Sequence, residues 1–171
     1  MALKLASEST FRRIVDTILS ASTAEHTFIS FGDGESSTLR FANNQVVQNV
    51  SVREPSVSVR VAFGKKVGSA STNRLDAASL TTLVRQAETI ARLAPEDPEY
   101  LPPLPKQTYL RVPSFRDSTA SVSPMDLATR TKPVIDQCAK NGLVGAGILS
   151  NSVSARGVAA SSGLFGYEQS T

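Results

Sequence analysis

The chain has 171 residues, a net charge of +3 at pH 7, 40% hydrophobic and 19% charged residues, which is ordinary for one globular domain with a sizeable core. The basic residues are scattered, with Lys65-Lys66 the only adjacent lysines, so the basic stripe with interleaved aromatics that marks a nucleic-acid surface is missing. A single cysteine, Cys138, excludes an intrachain disulfide; the longest apolar stretch, residues 143–149, is far below the ~20 residues that span a bilayer, and residues 1–9 hold no long apolar leader, so the cytoplasm is the expected compartment, with no membrane or nucleic-acid partner.

Phe11, Ile14, Val15, Ile18 and Leu19 recur at helical spacing with Arg12, Arg13 and Asp16 between them, which predicts an amphipathic helix over residues 9–22. Residues 27–31 read as a strand ended by the turn signal Gly32-Asp33-Gly34. Residues 38–42 and 45–52 read as two strands joined at Asn43-Asn44, since asparagine tolerates the left-handed backbone of tight hairpins. Val57, Val59, Val61 and Phe63 alternate with Ser58, Arg60 and Ala62, a clear period of two. Gly64-Lys65 turns the chain into a further strand over residues 66–71, completing an antiparallel meander of five short strands.

The period then changes. Asp76 is placed as an N-cap, and Leu80, Leu83, Val84, Ala87, Ile90 and Ala91 make one apolar stripe, opposite Arg85, Glu88 and Arg92. Pro95 ends this helix near Ala94. Seven of the nine prolines lie in residues 95–124, so this stretch is expected to be a linker or strap, not a packed element. A third helix begins at Ser123-Pro124, with Leu127, Ile135, Cys138 and Ala139 facing the core, a kink or break at Pro133 and a C-terminal cap at Asn141-Gly142. Residues 143–150 read as a buried strand, and residues 154–161 and 164–168 as two more. The strand pattern stops at Thr171 without a closing element, which is read as truncation. Strands that run together with helices apart predict an α+β fold, an antiparallel sheet of about five or more strands with two or three helices packed on one face. The expected organisation is a core over residues 1–94, a strap over 95–122, and a helix plus strands of the same domain over 123–171.

The residues for self-sufficient chemistry are missing. A catalytic zinc needs three protein ligands, whereas the chain has one histidine, His26, and one cysteine, Cys138, so no metal ligand, cofactor or catalytic residue is assigned. His26 reads as a junction residue and Cys138 as an inert core thiol. No Gly-x-Ser-x-Gly elbow accompanies the abundant serines. Gly142, Gly145 and Gly147 run opposite to a dinucleotide fingerprint and read instead as a helix cap and a closely approached strand. Asp33 and Glu35 are expected to be solvated turn carboxylates. Arg40, Asn43, Asn44, Gln45, Gln48 and Asn49 remain. Amides and a guanidinium on a hairpin suit an extended peptide, and a strand edge offers backbone hydrogen bonds; the plainer account is the solvated face of a half-buried hairpin.

Three stretches carry a family resemblance. They are Leu39-Arg40-Phe41-Ala42-Asn43-Asn44-Gln45 with Gln48-Asn49-Val50-Ser51; Val57-Ser58-Val59-Arg60-Val61-Ala62-Phe63-Gly64 with Lys66-Val67-Gly68-Ser69-Ala70-Ser71-Thr72-Asn73; and Ile90-Ala91-Arg92-Leu93-Ala94-Pro95-Glu96-Asp97-Pro98. In this order they resemble the amino-terminal region of TldD/PmbA proteins, the metallopeptidase family also called modulators of DNA gyrase. Gly163-Leu164-Phe165-Gly166-Tyr167 is similar to a later stretch of the family, with Ser162 where asparagine is usual. The resemblance implies a protein about three times the length of a typical domain, with a zinc-binding His-Glu-x-x-x-His helix downstream in active members, zinc-less partner members that form heterodimers with them, and peptide processing as the activity. It implies for this chain a substrate-side or dimerisation domain that is inactive alone, binds peptide or unfolded protein, and pairs as a homo- or heterodimer, with zinc held elsewhere in the full-length protein or its partner. The alternative is a non-catalytic binding or regulatory module. The Ser69-Ala70-Ser71-Thr72 run leans towards the zinc-less side.

Overall fold

The computed structural model describes residues 5–171; the first residues of the segment read for a leader, 1–4, lie outside them. The element order is α1 (Glu8–Ala21), β1 (His26–Ala42), β2 (Gln45–Phe63), β3 (Lys66–Thr72), α2 (Ala77–Leu93), α3 (Asp117–Ala120), α4 (Pro124–Lys140), β4 (Gly147–Ala160) and β5 (Phe165–Ser170). The strands form one sheet in the order β3-β2-β1-β4-β5, antiparallel at every pairing. This is the α+β architecture, with helices on one face, that the grouping of strands and helices predicts.

The helix ends follow local chemistry. The Ser7 hydroxyl accepts from the Thr10 N–H at α1, and the Asp76 carboxylate accepts from the Ser79 N–H at α2, each satisfying a donor with no intrahelical partner. Ser123 and Asp126 form a reciprocal capping box at α4, with Pro124 in the first turn. At the other end of α4, Gly142 has φ +65°; the Leu143 N–H reaches the Cys138 carbonyl and the Gly142 N–H that of Ala139, a Schellman closure. α4 runs unbroken through Pro133, against the expected break. A proline withdraws a single ladder bond, and α4 packs along only part of its length: Leu127 and Thr131 are buried, Ile135 and Cys138 half-buried, Ala139 exposed.

The strands are fewer and longer than their sequence signals. β1 continues through Gly32-Asp33-Gly34 for 17 residues and β2 through Pro55 for 19, so the four expected segments are two ribbons, β2 extending about 60 Å at roughly 3.3 Å per residue. The inward parity carries through this segment: Ile29, Phe31, Asp33, Ser37 and Leu39 are all buried along one face of β1, with Glu35 between them half-buried. Polar residues at inward positions hid that continuity. Residues 143–150 correct the reading of a buried strand, since Leu143, Val144 and Ile148 are exposed, and the expected strand over 154–161 is the continuation of the same β4.

A β-bulge in β2, opposite Arg40 and Phe41, sets the register of β2 against β1. Phe41 pairs with Val46 and Arg40 with Gln48, leaving Val47 as the extra residue. The insertion changes which side chains of β2 face the helices, so that Asn49, Ser51, Arg53, Val57, Val59 and Val61 fall on the inner face. α1 and α2 cover the near half of that face: Phe11, Ile18, Leu80 and Val84 share one buried cluster with Ile29, Val57 and Val59. Ile90 corrects the predicted stripe of α2, being 48% exposed. Glu88, expected on the solvated face, accepts from the Thr23 N–H at 2.6 Å and its hydroxyl at 3.0 Å, and so fastens the α1–β1 loop to α2. α4 covers the far half, where Leu39 and Leu127 are buried.

Residues 95–116 cross the molecule as a strap. Its carbonyl at Leu104 accepts from the Ser162 hydroxyl at 2.6 Å, and Ser114 bonds the Gln169 carbonyl and the Thr171 N–H along β5. No described helix is long and apolar enough to cross a membrane.

Candidate functional site

The far half of the sheet is where the candidate residues lie. β3 pairs with β2 only over residues 57–63, and β5 with β4 only over 154–159. Beyond those points β2, β1 and β4 project as a three-stranded arm, with no further strand beside β2 or β4 among the described residues. Which backbone groups each edge offers follows from the turns. Phe63 and Lys66 flank the two-residue Gly64-Lys65 loop, so they form a hydrogen-bonded pair, and alternation along an antiparallel ladder then points the N–H and C=O of residues 49, 51 and 53 away from β1. Pro55 falls in the same series, at a position where no β1 carbonyl waits for an N–H, which is how a proline is accommodated in this strand. On β4 the same alternation turns Ile148, Ser150 and Ser152 outward.

The six candidate residues do not form one surface. Arg40 and Gln48 are directly paired on the face away from the helices, with Ile148 on the other side of Arg40. Gln45 is opposite Ala42 on the same face, and all three polar side chains are exposed. Asn43 and Asn44 make the hairpin turn at φ 51° and 58°, the left-handed pair that a two-residue loop demands. Asn44 is also a latch. Its amide donates to the Leu143 carbonyl at 2.8 Å, its Oδ1 accepts from the Gly145 N–H at 2.8 Å, and its own N–H donates to the Gly145 carbonyl. Asn49 faces the helices and donates to the Pro124 carbonyl at 3.1 Å. Arg40, Gln45 and Gln48 are therefore available to a ligand, whereas Asn44 and Asn49 hold the arm to the start and end of α4.

Asp33, expected to be a solvated turn acid, is buried at 2% exposure. Arg53 clasps it through Nε to Oδ1 at 2.9 Å and Nη2 to Oδ2 at 2.7 Å, and the Ala6 N–H donates to Oδ2 at 2.7 Å. Burial pushes this carboxyl up, but the Arg53 hydrogen bonds, the Ala6 N–H and the Arg53 charge together hold it below its usual value. The sequence signal for this pair was the shared inward parity of Asp33 and Arg53, which becomes visible only when the strands are read as continuous. A folded-state value below the unfolded one means that the stabilisation is full at neutral pH and is lost as pH falls through the folded value. Asp33→Asn is expected to cost about 2 kcal/mol at pH 7 and to flatten the acid limb of stability below about pH 5. Urea midpoints of both proteins across that range measure it; parallel acid limbs would rule the pair out as their source.

The remaining reactive groups are apart. His26 opens β1 with its ring 6.4 Å from that of Tyr100. Cys138 is half-buried near the end of α4, against Gly145, where an added Cβ would approach Sγ to 2.8 Å. Gly147 likewise receives the Phe41 ring, so the three glycines serve a helix cap and close packing. Among the described residues no three His, Cys, Asp or Glu side chains are grouped to hold a metal ion. This chain's own donors do not fit a zinc centre.

Residues 29–91 match the family model of PmbA/TldA metallopeptidase domain 1. No curated protein matches the chain. Among solved structures, TldE from Thermococcus kodakarensis shares the fold at a TM-score of 0.83 and 16% identity, over 94% of this chain and 37% of that one. The Thermotoga maritima protein described as a "putative modulator of a DNA gyrase" gives 0.80 and 18%, over 94% and 37%; its Bacteroides thetaiotaomicron counterpart gives 0.79 and 15%, over 95% and 38%. At these identities the likeness is one of fold, and the chain spans less than two-fifths of the length of each. The family model over residues 29–91 and a fold shared across nearly the whole chain support a likeness of this chain to the amino-terminal region of TldD/PmbA proteins.

Proposed function

We propose that this chain is the substrate-side and dimerisation domain of a TldD/PmbA-type metallopeptidase, presenting an extended peptide to a zinc centre that other residues of the full-length protein or a partner subunit supply. The observation that carries the reading is the edge of β4, where among the described residues the outward backbone of Ile148, Ser150 and Ser152 has no strand beside it. An extended peptide can add there as a strand, with main-chain bonds giving affinity irrespective of sequence. Arg40 and Gln48, one and two strands away on the exposed face, offer a charge and an amide to its side chains. The zinc, when bound, would polarise a peptide carbonyl and activate water; this chain's part is to bind and orient.

The test is Ser150→Pro in the full-length protein. Proline at an outward position removes an edge donor without removing a bond to β1. Binding of a fluorescein-labelled unfolded peptide is expected to weaken by about tenfold, with the melting temperature nearly unchanged. Unaltered peptide affinity in both Ser150→Pro and Ser152→Pro would sink the edge as the binding site.

The absence of a metal-ligand group among the described residues favours a second reading, a non-catalytic regulatory module within a zinc-less subunit. Elemental analysis separates the cases. The 171-residue chain is expected to hold no stoichiometric zinc, and one tetrahedral zinc per chain would overturn the donor assignment. Zinc together with peptide hydrolysis in the full-length protein or its complex supports the peptidase reading, whereas absence of both supports the module.

A further inference from the structure

On the face away from the helices, the strap is fastened to the sheet on both sides of a cleft. On one side the Asp97 N–H donates to the Lys65 carbonyl at 2.9 Å and Glu96 bridges to Lys66. On the other the Leu104 carbonyl accepts from the Ser162 hydroxyl. Between these anchors Tyr100, Leu101 and Pro103 enclose, with His26 and Phe28 of β1 and Arg60 of β2, a space of about 170 Å³. The floor is rigid, since Phe28 is paired directly with Arg60 and His26 with Ala62, which makes His26 and Arg60 diagonal neighbours on one face.

Three side chains able to hydrogen-bond converge here, and the fold uses none of them. The Arg60 guanidinium is 5.9 Å from the centre of the Tyr100 ring, and the His26 ring is 6.4 Å from it. Among the described residues no hydrogen bond or ion pair occupies the Arg60 guanidinium, the Tyr100 hydroxyl or the His26 imidazole. Asp33, Asn44, Asn49 and Glu88, by contrast, are all taken up by the fold. Apolar walls with a few convergent polar groups are the make-up of a small-ligand site. The groups also define the ligand. A guanidinium fork matches a carboxylate, the Tyr100 hydroxyl can donate to the same oxygens, and Arg60 repels a cation. Glu25, whose charge reaches Tyr100, favours one negative charge over the two of a phosphate. Phe28 and Pro103 offer apolar surface, and Leu101, 82% exposed, gains cover when an apolar body lies against it.

We propose that this cleft binds a carboxylate carried on a small apolar body, as in a free N-acylated amino acid or the C-terminal residue of a peptide, with Arg60 on the carboxylate and Phe28, Leu101 and Pro103 against the apolar part. The site is separate from the β4 edge. Phe28 and Ser36, the partner of Ser152, are about 26 Å apart along β1 at roughly 3.3 Å per residue. The inference goes beyond the peptide edge proposed above and does not rest on it.

A ligand-observed NMR titration of the full-length protein with N-acetyl-L-leucine tests it. The dissociation constant is expected to be on the order of 1 mM, as befits a ligand of this size. N-acetyl-L-leucinamide, which keeps the apolar body and loses the charge, is expected to bind at least about tenfold more weakly. Arg60→Gln is expected to weaken binding of the acid by about tenfold and Tyr100→Phe by about threefold, whereas Arg85→Gln, at an exposed arginine of α2 across the sheet, is expected to leave it unchanged. All three variants are expected to melt with the parent, since the fold uses none of the groups removed. The peptide Ala-Ala-Ala-Leu distinguishes the sources: affinity within about threefold of the N-acetyl acid assigns the cleft to peptide C-termini, and anything weaker assigns it to free acids. Equal affinity for acid and amide, an Arg60→Gln variant that binds as the parent does, or no saturable binding up to about 20 mM, whether because another segment of the full-length protein fills the cleft or because nothing does, would overturn the proposal. Ser150→Pro is expected to leave this binding intact, so the cleft and the β4 edge can fail separately.

Discussion

Gly68→Ala is expected to destabilise the protein by about 3 kcal/mol, the upper end of the cost of overpacking a core. Gly68 is on β3 directly opposite Val61, with its inward side against α2. A Cβ built there would overlap the Ala87 carbonyl oxygen and the Ala91 N, and would come within 2.9 Å of the Ala91 Cα. These are backbone atoms, so no side chain can swing away. Ala87 and Ala91 are themselves fully buried, and the three small residues let helix and strand approach more closely than any larger set allows. Trimming Ala91 to glycine as well is expected not to rescue the variant, because the opposing atoms remain. Ser69→Ala, on the exposed side of the same strand, is expected to stay within about 0.5 kcal/mol of the parent. Guanidinium denaturation of the set measures it; a Gly68→Ala cost below about 1 kcal/mol would mean that α2 can lift off β3 without loss, contrary to the packing argued here.

Helix positions were legible because capping is local. Ser123, Pro124 and Asp126 fix the start of α4 and Gly142 its end through bonds that span four or five residues, so short-range chemistry suffices. The strands were legible in direction and parity but not in length. Gly32-Asp33-Gly34 and Pro55 are turn and breaker residues by composition. Their roles in the fold depend on a cross-strand ion pair between residues 20 apart and on which side of β2 faces away from β1, neither of which local pattern encodes. The candidate site divided for the same reason. The polarity of Asn44 and Asn49 was visible, but their partners, Leu143, Gly145 and Pro124, are 75 to 101 residues away. Asn44 and Asn49 are used by the fold, and Gln45 and Gln48, exposed on the outer face, look the same in sequence. The strand edges were invisible as well, since an edge is defined by what does not pair with it.

Phe11→Ala carries the other large expected effect, about 4 kcal/mol, within the range for deleting a fully buried aromatic side chain. Phe11 is wholly inaccessible to solvent and is the point at which α1 engages the sheet. Its ring stacks on Phe31 of β1 at 5.2 Å and 20°, and is 5.4 Å from Phe165 and 6.4 Å from Tyr167 of β5. Gly157 of β4 lies beneath it, where an added Cβ would come within 2.7 Å of the ring. One side chain thus bridges three strands and a helix, and aromatic pairs of this kind add about 0.5–1.5 kcal/mol each beyond burial. The surrounding positions cannot close the cavity, since Phe31 and Gly157 are fixed in directly paired strands and the loss grows with the void that remains. Phe11→Leu keeps part of the volume and is expected to lose about half as much. Leu110→Ala, at a side chain 93% exposed, is expected to be nearly silent. The readout is the guanidinium midpoint at constant m-value. A Phe11→Ala loss no greater than that of Phe11→Leu would show that α1 settles into the void, and would move the anchor of this helix from the aromatic stack to Ile14 and Ile18.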